Sequence, residues 1–188
     1  MTEARAKRWT VADVEALPYD EWTRYEIIDG ELFVSTAPGD RHQGACTRCT
    51  VALSVWNDRT GQGVVLAGPG LVFSEHDAVI PDVIWASRAR LVAIERADRL
   101  RGAPELAVEV LSPGAANERR DREIKLRLYS NWGVDEYWIV DWRTQTVEVY
   151  RRRDGQLELV ATLGAEDELT SPLLPDFRLV VGRLFDWP

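Results

Sequence analysis

The chain has 188 residues, 45% hydrophobic and 29% charged, a balance suited to one globular domain that buries its own core. Its 23 lysines and arginines face 31 aspartates and glutamates, a net charge of −8, which argues against a broad basic face for nucleic acid but not against a local basic patch. No apolar run is long enough to span a bilayer, and Met1–Arg8 lead into nothing like a signal peptide, so a cytoplasmic protein with no membrane partner is expected.

In chain order, Thr10 caps a short helix over 11–17 that Pro18 stops. Tyr25–Ile28 and Glu31–Val34 flank Asp29-Gly30, the signal of a hairpin with a type I′ turn. From Arg41 to Arg59 the apolar residues Ala45, Val51, Ala52, Val55 and Trp56 recur at helical spacing, without a strong cap at the start. The only cysteines, Cys46 and Cys49, fall inside this helix. A structural zinc would need four ligands, no second pair exists, and the spacing of His42 and His76 completes no known pattern. A redox pair would sit at a helix start, where the thiol pKa is lowered, so the two cysteines read as core residues.

Val64–Phe73 reads as strand interrupted at Gly68-Pro69-Gly70, and Val79–Trp85 as a strand with Pro81 near its start. Arg88–Arg101 is charged helix or surface loop. Leu106–Leu111 is another strand, broken off by Ser112-Pro113-Gly114. A helix from Asn117 to Asn131 follows, ended by Gly133, with Ile124 and Leu128 toward the core and Lys125 and Tyr129 at the apolar border. Strands at 136–140, 146–150 and 156–160 come next, and the tail from Leu173 to Trp187 is apolar enough to pack back. The fold class is α/β, a central mixed β-sheet flanked by two main helices, with an N-terminal hairpin.

Two of these strands each carry one acid among aliphatic residues, Asp82 and Glu109. An isolated buried carboxylate costs several kcal/mol unless something positive answers it. On adjacent strands the two acids can converge, repel, and be satisfied by a proton or a cation. Magnesium takes one or two carboxylates with water completing its shell, and Lys125 could then orient or activate a nucleophile beside it. Against this stand two plain alternatives: Asp121 and Lys125 form a favourable i,i+4 surface pair, and Glu109 pairs with an arginine.

Pro81-Asp82-Val83, Glu105–Pro113 and Asp121-x-x-x-Lys125-x-x-x-Tyr129 resemble the motifs of the Uma-two family of restriction endonucleases, within the PD-(D/E)XK nuclease superfamily. Tyr25–Leu32, Gly133–Asp141 and Leu169–Leu174 extend the resemblance, in this order, over about 10–185. It implies a restriction-endonuclease-like core in a single domain over 1–188, with Asp82 as the motif aspartate, Glu109 as the second acid, and the Val110 carbonyl as a third metal ligand. Leu111 stands where the superfamily lysine belongs, and Lys125 takes over from the helix, a departure that the Uma-two branch shares. Glu26 resembles an additional acid near the metal, or is a solvent-facing strand residue; Tyr129 orients the Lys125 amine or, more simply, packs. His42 matches a common family position without an assigned role.

The implied activity is Mg²⁺- or Mn²⁺-dependent hydrolysis of DNA phosphodiesters leaving a 5′-phosphate, with DNA as partner and no separate DNA-reading module. A homodimer is expected, because paired sites serve two strands. The alternative is a non-catalytic interaction or assembly protein that keeps the fold.

Overall fold

The computed structural model describes residues 7–18 and 20–186, so the opening residues Met1–Ala6 and the tail residue Trp187 lie outside them. The first helix, α1 (Val11–Glu15), is closed by a capping box: the Thr10 hydroxyl accepts from the Asp13 N–H, and the Asp13 carboxylate accepts from the Thr10 N–H. Strands β1 (Thr23–Ile28) and β2 (Glu31–Thr36) form the expected hairpin, with Asp29 and Gly30 at φ 51° and 76°. The long helix α2 (Asp40–Thr60) starts at Gly39 without a side-chain cap and ends at left-handed Gly61.

Strand β3 (Gly63–Ala67) belongs to one sheet, while β4 (Leu71–Ser74) and β5 (Asp77–Val79) belong to another. The apolar run Val79–Trp85 is therefore not one strand. It breaks at Ile80-Pro81-Asp82, and β6 (Val83–Ser87) resumes in the first sheet. Proline has no N–H to continue a ladder, and the Ile80 N–H turns to the Glu26 carboxylate instead, at 2.8 Å. The arginine-rich stretch after β6 resolves into helix α3 (Arg88–Ile94) and a small hairpin, β7 (Glu95–Arg96) and β8 (Arg99–Leu100). Ala97 and Asp98 make its turn, both with positive φ.

Strand β9 (Leu106–Val110) is buried along its whole length, and the helix after it is not uniform. Alpha-helical turns α4 (Ala115–Arg119) and α5 (Leu126–Trp132) flank a π-helical stretch, Arg120–Lys125, a rare widened form that is frequent at functional sites. The remaining elements are β10 (Glu136–Asp141), β11 (Thr146–Arg153), β12 (Gln156–Leu163), β13 (Glu168–Ser171), β14 (Leu174–Val180) and a 3₁₀ turn, Val181–Leu184.

The central sheet runs β12-β11-β10-β9-β6-β3, parallel only between β9 and β10; the second runs β2-β1-β5-β4-β8-β7. Alternation along β9 assigns the two faces. Leu106, Val108 and Val110 pack with Leu53 and Trp56 of α2 and with Leu174, Phe177 and Val181 of the tail. Ala107 and Leu111 pack with Leu128 and Tyr129 and with Ile28, Leu71 and Val79 of the second sheet. Glu109 lies on this second face by the same alternation, so an acid enters a layer that is otherwise apolar.

Gly133, in left-handed conformation, ends α5 and has no atom near the position of a Cβ. Gly133→Ala therefore meets backbone strain alone. It is expected to cost about 1–2 kcal/mol, read as a lower denaturant midpoint at unchanged m-value.

Candidate active site

The acids converge because of strand register. In the antiparallel ladder of β6 and β9, Val83 stands opposite Val108, and one step further Asp82 faces Glu109. Asp82 lies in the break just ahead of β6 rather than inside a strand, so it is free of the ladder. Its Oδ2 accepts from the Val110 N–H at 2.8 Å and lies 3.3 Å from His42 Nε2; its Oδ1 is 3.6 Å from an Arg24 guanidinium nitrogen.

Lys125 is not at an apolar border. It is 1% exposed, and its amine donates to Glu26 Oε1 at 2.8 Å and Glu109 Oε1 at 2.9 Å, with Asp121 Oδ1 at 3.9 Å. Asp121 is likewise buried rather than part of a surface pair, and Arg120 holds it at 2.9 Å. Glu26 does not face solvent: it is buried, and the Ile80 N–H and Lys125 both donate to the same oxygen. Tyr129 does more than pack, because its hydroxyl donates to Glu109 Oε1 at 2.7 Å. Glu109 pairs with a lysine and a tyrosine, not with an arginine.

His42, Arg24 and Arg120 also reach the site, and nothing in their sequence surroundings gives them a role there. His42, buried on α2, spans Asp82 and Cys46, whose Sγ is 3.4 Å from His42 Nδ1. His42, Cys46 and Asp82 form a cluster of potential metal ligands among the described residues. Burial and the neighbouring Asp82 push the Cys46 thiol far up, so it stays protonated beside His42.

The two facing acids are driven in opposite directions. Burial works against the charge on Asp82, but the His42 contact and the Val110 N–H outweigh it and lower its pKa. Burial dominates at Glu109; the attraction of Lys125 offsets it only in part, and Asp121, Asp82 and Glu26 add repulsion, pushing it up to about 8. Asp121 is raised, by burial, against Lys125 and Arg120. Burial alone would lower Lys125, but Glu109, Glu26 and Asp121 together raise it, so the amine keeps its proton. The three acids thus favour the charged form of the Lys125 amine.

These groups line a cleft of about 400 Å³ that also takes in Val34, Pro38, Ser112, Pro113 and Asn117. Glu109 Oε2 and Asp82 Oδ1 make no hydrogen bond, and among the described residues no buried side-chain oxygen lacks a partner. Both oxygens therefore border the open cleft. The Val110 carbonyl belongs to a residue lining the same space.

A mixed sheet with a carboxylate-lined cleft at the end of its β6–β9 ladder defines a restriction-endonuclease-like protein. A putative nuclease of the DUF820 group from Anabaena variabilis ATCC 29413 has the same fold, with a TM-score of 0.76 at 20% identity over 95% of this chain and 98% of that one. The chain belongs to the Uma2 family, described as "putative restriction endonuclease", whose model matches residues 11–182. The type IIG restriction endonuclease BpuSI shares 14% identity over 75% of this chain and 15% of its own, with a TM-score of 0.41. No curated protein matches the chain. Among the described residues no helix is long and apolar enough to cross a membrane.

Lys125→Met leaves buried acids without their cation and is expected to cost about 3–5 kcal/mol near pH 8. Glu109 and Asp121, already raised, bind protons in the folded state that the unfolded chain has released. The loss should therefore shrink as pH falls toward 5, which urea unfolding at several pH values would measure.

Proposed function

We propose that this protein is a metal-dependent DNA endonuclease that hydrolyses phosphodiester bonds, with Mg²⁺ or Mn²⁺ held by Asp82, Glu109 and the Val110 carbonyl. The observation that carries this reading is a pair of carboxylate oxygens that make no hydrogen bond among the described residues, Asp82 Oδ1 (3.6 Å from an Arg24 nitrogen) and Glu109 Oε2, on two acids that line one cleft. The donor set is all oxygen, as a hard dication prefers. Charge supports it too: Asp82 is held ionised and Glu109 can release its proton, so the cleft can answer an incoming dication with two negative charges.

A bound dication would neutralise the scissile phosphate and lower the pKa of a coordinated water. Asp82, kept ionised by His42 and Val110, supplies permanent negative charge. Glu109 holds a proton at neutral pH and releases it when positive charge enters the cleft. Lys125, always protonated, fixes Glu109 and Glu26 in place and adds positive potential where a phosphate would sit; it does not take the proton of the attacking water. Tyr129 holds Glu109 from the opposite side.

The decisive experiment sets supercoiled, duplex and single-stranded DNA against the protein with Mg²⁺ or Mn²⁺. Cleavage leaving 5′-phosphate ends is expected, with a loss of about a hundredfold or more for Asp82→Ala and Glu109→Ala. Activity unchanged in both variants would overturn the assignment. A protein with neither cleavage nor metal uptake would instead be a non-catalytic one on the same fold.

Removing the metal exposes the sign of the Glu109 shift. Its folded pKa lies above the ordinary carboxylate value, so its contribution to stability is full at low pH and is lost as pH rises toward 8. The metal-free protein should melt lower at pH 8 than at pH 6, and millimolar Mg²⁺ should raise the melting temperature more at pH 8. Asp82→Asn should abolish that response. It should not stabilise the metal-free protein by relieving repulsion, as facing acids alone would suggest, because His42 and the Val110 N–H favour the charged carboxylate. His42→Gln should weaken Mg²⁺ uptake about tenfold or more without removing it, as titration calorimetry would show.

A further inference from the structure

A second cavity, of about 430 Å³, adjoins the first, and Val34, Asn117 and Arg120 line both. It lies between the first hairpin and the helix that carries Lys125. Two exposed arginines, Arg119 and Arg127, form part of its wall. Among the described residues Arg119 meets only Glu123, at 3.2 Å, a pair about 70% exposed on both sides and so easily exchanged for another anion. Apolar residues share the lining with them: Phe33, Ile124 and Val34, the last 58% exposed. Asp29 and Glu31 also line the cavity, and Asp29 is answered by Arg8 at 3.1 Å.

We propose that this second groove is a binding subsite for an unpaired DNA strand running on from the active cleft. Phosphates would meet Arg119 and Arg127, and a base would lie on Val34, Phe33 and Ile124. The inference rests on the nuclease reading above and names its substrate class. A duplex turns only its charged backbone outward and keeps its bases stacked inside, so it could satisfy the arginines but not the apolar residues beside them. A single strand offers both phosphates and base faces. The overall charge points the same way. With a net charge of −8 the protein lacks the broad cationic surface that holds duplex DNA, whose phosphates are spaced at about 1.7 Å along the axis. A few arginines beside an apolar surface suffice for a strand. Burial of Lys125 and Glu109 at the base of the first cleft also requires the phosphate to descend to them, which a flexible backbone does more readily than a rigid one.

The test uses the full chain with Ca²⁺ and a labelled oligodeoxynucleotide, single-stranded or annealed to its complement, followed by fluorescence anisotropy across a salt series. The single strand should bind more tightly than the blunt duplex. Arg127→Ala should make the salt dependence less steep by about 0.7 in log–log slope. Val34→Asp, at an exposed position, should weaken single-strand binding about tenfold. Both variants should keep the melting temperature; Arg127→Ala, which does not line the first cleft, should also keep the Mg²⁺ response of the parent protein. Equal or tighter duplex binding, or single-strand affinity unmoved by either variant, overturns the subsite. The nuclease reading fails separately: a strand bound through Arg127 and Val34 with no Mg²⁺ response from Asp82 would leave the groove standing and remove the metal chemistry.

Discussion

One buried ammonium organises this protein. Lys125 reaches acids on two different sheets, Glu26 on the hairpin of one and Glu109 in the middle layer of the other, with Asp121 beside it on its own helix. A buried amine needs acids around it, and buried carboxyl groups need a positive partner, so each side of the cluster accounts for the other. The π-helical stretch is where this is negotiated. Arg120, Asp121 and Lys125 all lie within it, and the widened turn presents Asp121 and Lys125 together to the interior.

The departure at Leu111 follows from the same arrangement. A lysine at the end of β9 would bring its charge from the sheet; here Leu111 is wholly buried in the apolar layer, and the cation comes from the helix packed over it. The consequence is a division of labour between two facing acids. Asp82, outside the ladder and held by His42 and a backbone N–H, is an anion by construction. Glu109, deep in the layer and sharing one oxygen between an amine and a phenol, is poised to titrate. Environments that drive paired carboxyl groups apart in pKa are a feature of sites that handle protons and cations.

Much of this was legible in the residues themselves. Alternation exposed Glu109 as an acid in an aliphatic strand, Asp29-Gly30 announced the hairpin, and Gly133 marked the end of the helix. What periodicity could not reveal were long-range partners. Val79–Trp85 is uniformly apolar around Asp82, yet Pro81 splits it between two sheets, a break that depends on Glu26 receiving the Ile80 N–H from far away in the chain. Asp121 and Lys125 have the spacing of an ordinary surface pair, and only tertiary packing buries them. His42 has no local signature, because its reason for being inward, Asp82 on one side and Cys46 on the other, is assembled from the fold. The π-helical stretch is invisible to a pattern built on 3.6 residues per turn.

The peptide segment Ile80-Pro81-Asp82 passes from one sheet to the other, and it does so through the cleft. At its start the chain is tethered to Glu26, and at its end it supplies Asp82 opposite Glu109. The same three residues thus join the two sheets and carry one of the two facing acids, so the spacing of those acids is set at the point where one sheet passes into the other.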